Sequence, residues 1–322
     1  MNFAAQRLFC LLLVLTSSLN PMAGEATAEK RIGVLIFSEE VRYNEAQKGI
    51  VDELRERGFG EPAVSFAVEN AGGSKAKAAE LTKKFATGKM NLIFTLGTSA
   101  TIAASQVIKD IPIVFAMVFD PVDAKIAGDW KSSGNNTTGA SPRIPMTKIM
   151  NILNGFAPVK RLAVLYTPGE KNSEVQLREL QGLQANSGFK VVPVILANKE
   201  DVGRILPEVA RGSDAIYLTG SSIVGGIVPT IVDVANRANV VTITHLDDLV
   251  MKGALLGVCA NSYLVGRLAG AKAAHVLRGA KPSSIPIEIG KKVDVILNAR
   301  TAKAGRFSIP PGFMKTVTKT IE

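Results

Sequence analysis

From Arg31 onward the chain alternates short apolar runs rich in β-branched residues with helical patterns, and that alternation leaves few folds besides a parallel sheet covered on both faces. Arg31-Ile32-Gly33-Val34-Leu35-Ile36-Phe37 reads as a buried strand. Asn44 with Gln47 three residues later suits the cap of a helix whose Ile50, Val51 and Leu54 share one face and whose end falls at Gly58. Strands are expected next at 63–68, 91–96 and 111–118, with helices at 74–87 and 99–108 between them. Residues 132–143 then turn to Ser, Gly, Asn, Thr and Pro, which predicts a loop that crosses out of this unit.

At 161–166 the pattern restarts, and strands at 191–196, 215–219 and 240–244 alternate with helices once more. Two similar halves predict two similar sheets facing each other. A helix at 263–277 and strands at 285–289 and 293–297 complete the chain and could return to either half. A length of 322 residues accommodates two cores of ordinary size. The expected class is α/β, with two doubly wound parallel-sheet lobes.

The first 28 residues read differently. Arg7 precedes an apolar run from Leu8 to Leu15, too short to span a bilayer, and Ala26-Thr27-Ala28 places small residues where a signal peptidase cuts. Residues 1–28 are therefore expected to be a signal peptide, and the remainder a soluble periplasmic protein. Cys10 lacks the small residues that precede a lipid-modified cysteine, and its removal leaves Cys259 as the lone thiol, expected to be buried and inert. The net charge of +10 is spread over apparent helix faces such as Lys75, Lys77, Lys83 and Lys84, a pattern of solvated surface rather than of nucleic-acid binding.

In doubly wound sheets, ligands sit beyond the carboxyl ends of the strands. The residues there are Ser38 and Tyr43, then Gly97-Thr98-Ser99, then Phe119-Asp120-Pro121 in the first half. In the second half they are Thr167 to Ser173, with Glu170 and Asn172 among them, then Gly220-Ser221-Ser222, then His245 and Asp247. Hydroxyls and amides dominate, which suits hydrogen-bonded capture of a small polar solute. The bland readings are helix caps for Thr98, Ser99, Asn172 and Ser173, and a turn at Asp120. His245 and His275 are the only histidines and have no Cys or carboxylate at ligand spacing, so no metal and no cofactor are expected. No Gly-x-Gly-x-x-Gly follows the first strand, and P-loop and Gly-x-Ser-x-Gly motifs are absent, so no enzyme is expected.

At these loops the sequence resembles the ABC transporter substrate-binding family related to tryptophan and phenylalanine import proteins, a branch of the type I periplasmic binding fold. The matching stretches are Gly97-Thr98-Ser99-Ala100, Phe119-Asp120-Pro121-Val122, Thr138-Gly139-Ala140-Ser141, Asp214-Ala215-Ile216-Tyr217, Lys252-Gly253-Ala254-Leu255, Asn298 to Lys303, and above all Tyr166 to Ser173. The resemblance implies two lobes joined by three crossings around a ligand cleft: residues 29–142 plus 259–282, and 143–258 plus 283–322. It implies ligand contacts at Thr98, Ser99, Asp120, Asn172, Ser173, Ser221 and Ser222. Ser38, Tyr43, Phe119, Ser141 and Asn261 complete the expected set. Its partners would be a small-molecule ligand, an amino acid or related solute, and an inner-membrane ABC permease, with a receptor kinase as the alternative and a secreted enzyme as the remote one; the protein would be a monomer. One departure stands out: where the family often has Gly-x-Asp-Tyr-Tyr, this chain has Cys259-Ala260-Asn261-Ser262-Tyr263. Asn261 brings no charge to pair with an ammonium group, which argues against a standard aromatic amino acid as ligand.

Overall fold

The computed structural model describes residues 29–322, so the expected signal peptide, Cys10 included, lies outside the described residues. The chain builds β1 (Lys30–Ile36), α1 (Val41–Glu56), β2 (Val64–Asn70), α2 (Lys75–Thr87), β3 (Leu92–Leu96), α3 (Thr98–Val107), β4 (Ile113–Ala116) and β5 (Thr137–Ser141). It continues with α4 (Met146–Phe156), β6 (Arg161–Tyr166), α5 (Lys171–Ser187), β7 (Lys190–Ile195), α6 (Val202–Arg211), β8 (Ala215–Leu218), α7 (Ser222–Gly226) and α8 (Val228–Arg237). Last come β9 (Val241–Thr244), α9 (Asp247–Met251), β10 (Leu256–Ala260), α10 (Ser262–Leu277), β11 (Glu288–Ile289), β12 (Val293–Asn298), α11 (Ala299–Ala304) and β13 (Lys319–Ile321).

Two sheets result, a six-stranded one in the order β11-β5-β4-β3-β1-β2 and a seven-stranded one in the order β13-β12-β10-β9-β8-β6-β7. Every pairing is parallel except β10 with β12. Ile32, Leu92, Ile93, Phe94 and Ile113 are buried in the first sheet, as are Leu162, Val164, Ile216 and Leu218 in the second. Strands covered on both faces carry continuous apolar runs for this reason. The chain passes between sheets three times: after β5, after β10 at Asn261, and between β11 and β12.

Three features depart from expectation. Residues 137–141 form the buried strand β5 rather than a loop, because Thr138 and Ala140 pair with β4 and Gly139 lies against it. A Cβ at Gly139 would stand 2.3 Å from the Phe115 carbonyl oxygen, so the residue that reads as a loop former is required by close strand packing. Helix α1 starts at Val41 and not at Asn44, with Glu40 at its cap position and no side-chain cap bond. The last crossing also falls later than the expected division, since β11 pairs with β5 and keeps residues 288–289 in the first sheet. Cys259 and Ala260 belong to β10, held in the second sheet between β9 and β12.

Candidate ligand-binding site

The carboxyl ends of both sheets face one cleft, and the contacts across it show that it is closed. Lys75 on the first sheet's side donates to the Gly169 carbonyl on the second (2.7 Å). Phe119 meets the edge of the His245 ring at 5.1 Å between centroids. Arg178 pairs with Asp123, and Arg143, just past β5, reaches both Asp120 and Glu179.

Inside the closed cleft lies a small pocket lined by Phe37, Tyr43, Thr98 and Ser99 from one lobe and Glu170, Asn172, Gly220 and Ser222 from the other. Its volume is about 10 Å³, roughly the space of one water molecule. Helix α3 begins at this pocket with no side-chain cap on its first amides. The Thr98 hydroxyl is buried and finds no hydrogen-bond partner among the described residues. Gly97 makes the turn at φ +98°, and a Cβ there would lie 2.5 Å from the Tyr43 hydroxyl, so only glycine lets Tyr43 come this close.

Opposite, the Glu170 carboxylate accepts from the Ser222 amide (2.9 Å) and hydroxyl (2.6 Å). Burial raises its pKa above the usual carboxylate range, and the Ser222 bonds only partly offset that. Asn172 donates to the Gly220 carbonyl, and Gln176 accepts from the Gly220 amide (3.1 Å). That fixes the Gln176 amide nitrogen toward His245 Nε2 (3.4 Å), so the imidazole accepts there and donates from Nδ1 to Tyr217 (2.9 Å). Burial pushes the His245 pKa down to about 3, which keeps the ring neutral.

Of the expected residues, Tyr43, Thr98, Ser99, Asn172 and Ser222 converge on this pocket, and Ser38 lines an adjoining chamber. The others are turned to structural work. Asp120 accepts from the amides of Val122 and Asp123 (both 3.0 Å) and pairs with Arg143. Ser141 donates to the Phe119 carbonyl (2.7 Å), while Phe119 itself packs on His245. Ser173 donates within the turn that opens α5, to Thr167 and Glu170 carbonyls. Ser221 caps α7 and meets the Thr167 hydroxyl (2.6 Å). Asn261 caps α10 through the Leu264 amide (3.0 Å) and lines a separate groove with Glu53, Leu264 and Lys291. Asn261 thus sits outside the pocket, and its lack of charge does not bear on whether an aromatic amino acid binds there. Asp247 is likewise tied to the second crossing, accepting from the Ser262 hydroxyl (2.8 Å).

Sequence reasoning passed over Arg42, Glu40 and Asp248. Arg42, in the first turn of α1, donates to both Asp248 oxygens on α9 (3.2 and 2.9 Å) and pairs with Glu40; all three are buried. Burial opposes the Arg42 charge, but Asp248, with smaller help from Tyr43, outweighs it and raises the pKa. Among the described residues no group of three or more His, Cys, Asp and Glu is placed to hold a metal, and Cys259 is free and buried.

Residues 31–321 match the family described as ABC transporter substrate binding protein. The chain belongs to that family. A tyrosine-binding protein of Clostridioides difficile is 26% identical over 283 residues, 87% of this chain and 82% of the relative. Among solved structures, this substrate-binding protein superposes on an ABC domain of Streptococcus pneumoniae in complex with L-Trp, at 25% identity and a TM-score of 0.87, covering 91% of this chain and all of that one. Against the ligand-free, open structure of a Clostridium difficile substrate-binding protein with adhesive properties the TM-score is 0.70, at 27% identity, again over 91% and 100% of the two chains. The closed arrangement seen here is thus nearer in shape to the ligand complex than to the open form. The two-sheet fold with three crossings is that of the type I periplasmic binding proteins.

Proposed function

We propose that this substrate-binding protein captures an amino acid or closely related solute in the periplasm and delivers it to the permease of an ABC importer. The observation that carries this reading is the meeting of complementary polar groups from opposite lobes at one closed cleft. On one side are the uncapped amides of α3 with Thr98 and Ser99, a setting that favours a carboxylate. Across from them is Glu170, whose contacts are to Ser222 and whose remaining capacity suits an ammonium group. The ligands of the relatives, tyrosine and tryptophan, carry both groups.

Closure would be the signal that the permease reads, with the ligand binding the closed form more tightly than the open one. Residues 1–28, read as a signal peptide, would direct the export that this role requires. Native mass spectrometry of the mature protein purified without refolding tests the reading. A copurifying amino acid of one defined mass supports it, and a copurifying sugar or polyol would replace it.

A further inference from the structure

The inner pocket holds about one water, yet beside it, sharing Ser222, a chamber of about 440 Å³ opens between the lobes. That volume falls within the range of about 300–1,000 Å³ usual for small-molecule sites. Ser38, Glu40 and the turn at Gly72 and Gly73 line it from the first lobe; Lys199, Ser222, Gly225 and Lys252 line it from the second. The space for the body of a ligand is therefore at the mouth of the cleft rather than at its floor.

Two carboxylates, Glu39 and Glu40, and two ammonium groups, Lys199 and Lys252, line this chamber. The Glu40 carboxylate is taken by Arg42, and the absence of a side chain at Gly225 lets it sit against the opposite lobe. The two lysines have no such partner: neither Lys199 nor Lys252 forms a salt bridge among the described residues. Lys252 is partly buried and its ammonium donates only to the Gly225 carbonyl (2.9 Å). A partly desolvated ammonium without a carboxylate gains a charge-assisted bond when an anion arrives. Exposed Glu39 stands at the rim and is free to turn to water.

We propose that this outer chamber is an anion subsite, in which Lys252, assisted by Lys199, receives a second carboxylate of the ligand. Resting on the amino-acid reading above, this makes the ligand an acidic amino acid. The inner pocket widens to admit its head, which faces Thr98, Ser99 and Glu170, and its side chain extends past Ser222 to Lys252.

Calorimetric titration of the refolded, ligand-stripped mature protein with L-glutamate, L-glutamine, L-tyrosine and succinate tests this. Glutamate is expected to bind at least about tenfold more tightly than glutamine, the worth of one charge-assisted bond. Lys252→Gln should remove that preference by lowering glutamate affinity at least about tenfold, and Lys199→Gln should remove part of it. Thermal melting of both variants checks that the fold survives. Equal or tighter binding of glutamine or tyrosine, or a Lys252→Gln variant that keeps the preference, overturns the subsite. Succinate bound in a Lys252-dependent way without the amino acids supports the subsite while removing the amino-acid head reading. Binding of none of the four overturns both.

Discussion

Arg42 and Asp248 meet across the cleft at 2.9 Å with 3% and 0% of their side chains exposed, although α1 and α9 belong to different lobes. Two charges this deeply buried are tolerated because each is the other's partner and Glu40 adds a third. Opening of the lobes would hydrate them.

Removal of one partner should therefore act on the open–closed balance. Asp248→Asn leaves the Arg42 guanidinium with Glu40 as its one carboxylate in the closed form, a penalty of about 1–3 kcal/mol. The variant is expected to escape by opening, with a larger radius of gyration in solution scattering. Arg42→Met with Asp248→Leu and Glu40→Gln, which leaves no member of the triad charged, should restore the compact form. A compact single variant would show that the pair does not hold the lobes together.

Glu170 sets a conflict between stability and binding. Its pKa is raised by burial, so the folded form binds a proton more readily than the unfolded chain, and its charge weakens the fold as pH rises. Glu170→Gln is expected to melt higher than the parent at neutral pH, with the gap closing as the pH is lowered toward about 4. The same variant should lose ligand affinity. An unchanged or lower melting temperature at neutral pH would show that the carboxylate is already satisfied.

His245 titrates in the opposite sense. Its pKa is pushed down to about 3 by burial, so the ring contributes stability above the ordinary histidine range. That contribution is lost as pH falls below about 6.5, by at most about 1.4 kcal/mol per pH unit. NMR of labelled imidazole should show no protonation of His245 down to about pH 4.5. A midpoint near 6 would contradict the buried Gln176–His245–Tyr217 chain.

Asp120 and Asn172 should separate into two kinds of variant. Asp120 holds a turn and Arg143, so Asp120→Ala is expected to lower stability by about 1–3 kcal/mol with little change in affinity. Asn172 lines the pocket, so Asn172→Ala is expected to cost about 1–3 kcal/mol of binding. Denaturant melts and calorimetry on both variants check the division, and the reverse pattern would move the site toward Asp120.

The parts legible in the sequence were those with a local signature. Continuous apolar runs announce β1, β3, β6 and β8, and the rule that ligands lie beyond strand ends points to Thr98, Ser99, Asn172 and Ser222. β5 was hidden because Thr137, Thr138 and Gly139 have loop composition, and only burial between β4 and β11 makes them a strand. Arg42 and Asp248 were hidden for a related reason. A charge in the first turn of a helix reads as solvated surface until a partner 206 residues away is brought to it by folding. Asp120, Ser173 and Asn261 show the converse, since a polar residue at a strand end serves equally as a cap or turn.

The central claim is that one amino acid is held between the two lobes by Glu170, Asn172 and the start of α3. Isothermal titration of the ligand-stripped mature protein with each of the standard amino acids tests it most directly. One site per chain with micromolar or tighter affinity for at least one of them, lost in both Glu170→Gln and Asn172→Ala, is the predicted result. Binding undiminished in both variants, or no binding of any amino acid by the folded parent, would contradict it.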